Sequence, residues 1–117
     1  MKKIAVIFSP EAQEVYDYLG EKAKLSKPEN MILKALRKKI ELIKSNVHYG
    51  EPIAKRLIPK EYKNKYGVSN LFRVELPLFW RMLYTFTNGE SEIEVVAFIL
   101  AVMDHDDYDD RFGYKRK

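Results

Sequence analysis

The run Val95–Met103 is nine consecutive apolar residues, and no other segment constrains the fold as much. It is about half of the ~18 to 20 residues that a helix needs to span a bilayer. It is apolar at odd and even positions alike, so it reads as a strand buried on both faces and therefore interior to a sheet. Two β-rich runs precede it, which places strands at about Leu71–Leu76, Phe79–Thr87 and Glu92–Met103. Asn88-Gly89 between the last two is a tight-hairpin signal, because both residues tolerate positive φ. Three consecutive antiparallel strands are expected.

The N-terminal half carries a different periodicity. Lys3–Phe8 is a short β-branched run that reads as a strand buried on both faces, beside the central strand. Ser9 offers an N-cap, Pro10 suits the first helical position, and Ala12, Val15, Tyr16, Leu19 and Ala23 fall on one face, predicting a helix from Pro10 to about Lys24. Ser26 and Glu29 have capping-box spacing, and Ile32, Leu36, Ile40 and Ile43 make the stripe of a second helix. Glu51–Asn70 is irregular and basic, closing at Tyr66-Gly67. The expectation is one α+β domain over residues 1–117, a helical hairpin packed on one face of a mostly antiparallel four-stranded sheet in the order β-α-α-β-β-β.

Charge narrows the function. The first 75 residues hold 16 basic and 9 acidic side chains, a balance of +7, whereas residues 76–117 hold 5 and 8, a balance of -3. A basic excess of this kind favours a polyanionic partner such as RNA or DNA, or is simply a solvated lysine-rich surface. The chain has no cysteine, which excludes a disulfide scaffold, a thiolate metal site and a cysteine nucleophile, and fits a reducing compartment. The apolar part of Met1–Phe8 is five residues long, short of a ~7 to 15 residue signal core, so a cytoplasmic protein without membrane association is expected.

Arg73 and Arg81 are the first candidate site residues. A turn centred on Pro77 would set Val74 opposite Trp80, Phe72 opposite Met82 and Arg73 opposite Arg81. Like charges directly across two strands repel, so such a pair points to a phosphate clamp. Alternatively, Arg81 forms an ordinary cross-strand ion pair with Glu75 or Glu94. A register centred between Pro77 and Leu78 would put the arginines on opposite faces. His105 directly follows the central strand, where an imidazole suits general acid-base work. Its neighbours, Asp104, Asp106, Asp107, Asp109 and Asp110, equally read as an acidic helix start, and their spacing matches no metal-ligand motif. Lys55, Arg56 and Lys60 suit phosphate-backbone contact or a solvated loop. Trp80, Tyr84 and Phe86 could stack bases on an open sheet, although their period-two pattern is more often that of core residues.

The element order, together with Leu71-Phe72-Arg73-Val74, Trp80-Arg81-Met82-Leu83-Tyr84 and the C-terminal His105 and Tyr108, resembles the RelE/ParE superfamily of toxins from toxin-antitoxin pairs. The resemblance is sharpest from Val68 to Tyr114. For RelE-like members it implies a ribosome-dependent endoribonuclease that cuts mRNA by attack of a 2′-hydroxyl on the adjacent phosphate, without metal or cofactor. Arg73 and Arg81 would then bind the phosphate, His105 or Tyr108 would move protons, and Lys55, Arg56 and Lys60 would contact RNA. A cognate antitoxin, the ribosome and mRNA are the implied partners. ParE-like members inhibit DNA gyrase instead, and an inactive binding module on the same fold is a third possibility. The chain departs from the family in its aspartates around His105 and in the short step from His105 to Tyr108.

Overall fold

The computed structural model describes residues 3–88 and 94–113. Gly89 of the expected hairpin turn, Glu92 at the expected start of the last strand, and Tyr114 lie outside the described residues. The elements are β1 (Lys3–Phe8), α1 (Pro10–Lys22), α2 (Lys27–Ser45), β2 (Glu51–Pro52), a 3-10 turn at Lys55–Leu57, α3 (Lys60–Tyr66), β3 (Phe72–Glu75), β4 (Arg81–Asn88), β5 (Glu94–Met103) and α4 (His105–Phe112). The strands form one five-stranded sheet in the order β1-β5-β4-β3-β2. Among the described residues only the β1–β5 pairing is parallel. No helix among the described residues is long and apolar enough to cross a membrane.

The helical hairpin forms as its caps and stripes dictate. Ser9 is fully buried, accepts a hydrogen bond from the Ala12 N–H (3.0 Å) and donates to the Leu100 carbonyl (2.6 Å), so one hydroxyl caps α1 and ties it to β5. Ser26 instead donates to the Glu29 carboxylate (2.9 Å), and its side chain caps no backbone N–H of α2. Ile32, Leu33, Leu36, Ile40 and Ile43 of α2 pack with Phe72, Val74, Met82, Tyr84, Ile99 and Val102 on one face of the sheet.

The fold is α+β as expected, but it differs from the expected four-stranded sheet covered on one face. The additional strand β2 pairs with β3, Glu51 opposite Arg73 and Pro52 opposite Phe72. The second face is covered too, because Ile58, Tyr62 and Tyr108, from the α3 region and α4, pack on Leu83, Leu100 and Ala101. β1 is an edge strand rather than one buried on both faces, and Ile7 is half exposed. β5 is interior, flanked by β1 and β4. A bulge at Leu83/Tyr84 lets β5 serve both cores, with Ile99 and Val102 on one side and Leu100 and Ala101 on the other.

The largest correction concerns the β3–β4 register. Phe72 lies opposite Tyr84, Val74 opposite Met82 and Glu75 opposite Arg81, so the hairpin is centred on Leu78 and not on Pro77. The Leu76 N–H donates to the Trp80 carbonyl (2.9 Å) and closes a three-residue loop, Pro77–Phe79. This register buries Leu76 with the core and faces a cation with a carboxylate instead of with another cation. Leu78 (φ +60°) and Phe79 (φ +62°) are both left-handed, a conformation that is strained for residues with a Cβ.

α3 and α4 are latched to each other and to α1 through Arg111. Its guanidinium donates to the Tyr62 hydroxyl (3.0 Å) and pairs with Glu11 (3.0 Å) and Glu61 (3.8 Å). Burial pushes the Tyr62 phenol from 10.0 up to about 12, against the opposing influence of Arg111. The folded state therefore holds this proton more tightly than the unfolded chain does. The stabilisation is complete below pH 10 and is lost as pH rises through about 12. Over that window the wild type is expected to lose on the order of 2 kcal/mol relative to Tyr62→Phe, measured by urea unfolding at each pH. A constant difference between the two proteins would contradict desolvation of Tyr62.

Candidate functional site

Three elements supply the site on the second face of the sheet. β3 presents Arg73 and Glu75, β4 presents Arg81, and α4 presents His105 and Tyr108. Arg73 faces Leu83 and Arg81 faces Glu75, so the arginines are diagonal neighbours on one face, not a directly opposed pair. Both guanidinium groups lie over the Tyr108 ring, Arg81 at 4.9 Å and Arg73 at 5.8 Å from its centroid. Arg73 Nη1 also donates to the Tyr108 hydroxyl (3.1 Å). Tyr108 is buried and stacked on Phe112, so the cations rest on a fixed aromatic floor.

The electrostatics of this cluster are unbalanced at two atoms. Arg73 Nε and Arg81 Nε are buried without a hydrogen-bond partner. Glu75 Oε1 lies 3.5 Å from the first and 3.7 Å from the second, and it makes a hydrogen bond with neither. Arg73 Nη2 makes a short bond to Glu51 (2.8 Å), and that bond holds the Arg73 pKa above its ordinary value, so its charge is permanent. Arg81 Nη1 donates to the Phe79 carbonyl (2.7 Å). The ordinary cross-strand pair of Arg81 with Glu75, one of the two sequence readings, is thus present within a shared cluster. Two unpaired N–H donors thus share one half-exposed carboxylate, a donor set of the kind that suits an anion.

His105 stands at the rim. It is the first residue of α4, exposed, with Nε2 3.2 Å from Asp109 and its ring 6.2 Å from that of Phe79. The aspartates have structural work there. Asp104 caps α4 by accepting from the Asp107 N–H (2.9 Å), and Asp106 and Asp107 lie in the first turn at the positive end of the helix. The acidic helix start foreseen from the sequence is therefore what forms. Among the described residues no group of three or more His, Asp or Glu side chains could hold a metal ion.

The structure brings Arg73, Arg81 and Tyr108 into contact and sets His105 near the Phe79 ring, whose backbone carbonyl Arg81 holds. Lys55, Arg56 and Lys60 are exposed on the separate segment whose Ile58 and Tyr62 cover the same face. A cleft of about 290 Å³ at the sheet edge is lined by Lys39, Tyr49, Glu51, Arg73 and Glu75. Lys39 and Glu51 were not foreseen as neighbours of Arg73. Glu51 is found only through β2, and two residues carry no periodicity for a sequence to show. No family model, curated protein or solved structure matches the chain.

Proposed function

We propose that this chain is a RelE-like toxin of a toxin-antitoxin pair, a metal-independent endoribonuclease that acts on mRNA in the ribosome and arrests translation in the cytoplasm. The supporting observation is the convergence of Arg73 and Arg81, with two unsatisfied Nε–H donors, over Tyr108 beside His105. A phosphate placed between the arginines would satisfy both donors. In-line attack by the 2′-hydroxyl would pass its proton to a base at the rim, the part His105 takes. The P–O5′ bond would break, a proton would go to the leaving oxygen, and the products would be a 2′,3′-cyclic phosphate and a 5′-hydroxyl. Arg73 and Arg81 would stabilise the charge that builds on the pentacoordinate phosphorus. Lys55, Arg56 and Lys60 would hold the RNA backbone. An antitoxin segment covering this basic surface would block it.

The ion pairs of both arginines with Glu51 and Glu75 favour a second reading, a non-cleaving member of the same superfamily that inhibits gyrase or only binds a partner. Cell-free translation with primer extension on the template mRNA separates them. Cuts within codons that require the ribosome, and that vanish with Arg81→Ala, establish the nuclease. Uncut mRNA and normal protein synthesis overturn it, and inhibited supercoiling would then identify the gyrase reading.

Glu75→Gln is expected to tighten binding of a short single-stranded RNA about 5-fold, because it removes a carboxylate that competes with phosphate at roughly 1 kcal/mol. Glu75 is more than half exposed, so stability should change by less than about 0.5 kcal/mol. Fluorescence anisotropy measures the affinity, and unchanged or weaker binding would remove Glu75 from the site.

A further inference from the structure

We propose that Phe79 is a nucleobase-stacking platform, holding one base beside the phosphate that Arg73 and Arg81 take. The inference rests on the reading of those arginines as a phosphate site and adds the recognition of the neighbouring base. Phe79 is 74% exposed, well above the surface rings of Tyr18 (48%) and Tyr49 (37%). It gains little from burial where it stands. Its backbone is also against it, since Leu78 and Phe79 hold φ of +60° and +62°, which glycine would adopt without strain. Neither core packing nor local propensity accounts for an aromatic ring at this position. Large exposed side chains held in a strained turn next to a site point to a role in that site.

The loop is fastened to the arginine cluster. The Phe79 carbonyl accepts from Arg81 Nη1 (2.7 Å), so the guanidinium and the base of the Phe79 side chain are set by one hydrogen bond. The three-residue loop is closed by the Leu76–Trp80 bond, which fixes the backbone from which the ring projects. On its other side the ring lies 6.2 Å from that of His105, tilted by 54°. Phe79 therefore stands between the phosphate-binding cation and the candidate proton carrier. A nucleotide held by its phosphate at Arg81 has its base within reach of this ring. Every base offers a π face, so the contact would raise affinity with little sequence preference.

The test uses the full chain and a short, non-cleavable 2′-O-methyl RNA carrying 2-aminopurine at one position, with anisotropy for affinity and 2-aminopurine fluorescence for stacking. Phe79→Ala and Phe79→Leu are expected to weaken binding roughly 5- to 100-fold, and Phe79→Trp to retain it. The salt dependence of binding should be unchanged by these substitutions, because no phosphate contact is lost, whereas Arg81→Ala should lower its slope. Quenching of 2-aminopurine by the wild type should disappear with Phe79→Leu. If Arg81→Ala weakens binding but Phe79→Ala and Phe79→Leu bind as the wild type does, the stacking role is wrong and the phosphate site stands. If the wild type binds no RNA, the phosphate reading fails and the platform with it, which leaves Phe79 as a contact for a protein partner. Thermal unfolding of each variant confirms that the comparison is between folded proteins.

Discussion

Arg81→Ala should slow the proposed mRNA cleavage roughly 10²- to 10³-fold while the protein stays folded. The side chain is largely withdrawn from solvent, yet it contacts the Phe79 carbonyl, the half-exposed Glu75 and the Tyr108 ring. Truncation removes a surface-side ion pair and leaves the Phe79 carbonyl open to water, so stability should fall by no more than about 1 kcal/mol. The chemistry loses more, because a planar fork aimed at the phosphate acts most strongly when charge builds in the transition state. Arg81→Lys keeps the charge without the fork and should recover only part of the rate. Single-turnover cleavage on programmed ribosomes measures the effect. A folded Arg81→Ala protein that cuts at the wild-type rate would take Arg81 out of the mechanism.

Tyr84→Phe should cost about 2 to 4 kcal/mol, a large part of the ~5 to 15 kcal/mol that holds a typical domain. The Tyr84 side chain is completely buried and stacks on Phe72 at 5.3 Å. Its hydroxyl donates to the Val47 carbonyl (2.7 Å) and accepts from the Gly50 N–H (2.9 Å). Removing one oxygen thus strands a donor and an acceptor inside the protein. The chain passes so close here that a Cβ on Gly50 would lie 2.8 Å from Tyr84 Cε1 and 3.1 Å from the Arg73 carbonyl. The same crossing delivers Glu51 to Arg73, so the variant should also disturb the arginine cluster. Urea unfolding measures the loss. A change below about 1 kcal/mol would mean that water replaces the hydroxyl.

What the sequence made legible follows from which signals are local. The caps at Ser9 and Pro10 and the stripe Ile32–Leu36–Ile40–Ile43 specify α1 and α2 without reference to the rest of the chain. The nine-residue apolar run likewise announced an interior strand. β2 and α3 were missed because a two-residue strand and a seven-residue helix hold their shape through tertiary contacts, Glu51 with Arg73 and Tyr62 with Arg111. In the site, alternation alone put Arg73 and Arg81 on one face in any register that shifts by two. It could not choose between Arg73 and Glu75 as the partner of Arg81 across the strands. That choice depended on a loop with two left-handed residues, Leu78 and Phe79, neither of which is a glycine or an asparagine.

The parallel pairing of β1 with β5 also sets a schedule for synthesis. The two strands meet across 91 positions, the separation of Ser9 from the Leu100 carbonyl it bonds. At a translation rate of ~5 to 20 residues per second, β1 leaves the peptidyl-transfer centre about 5 to 20 seconds before its partner exists. Until β3 and β4 follow, α1 and α2 have only β1 beside them, and their apolar stripes are open to chaperones. The arginine cluster cannot assemble early either, because its aromatic floor, Tyr108, is translated after β5. The arginine cluster is thereby incomplete until β5 and α4 have been made.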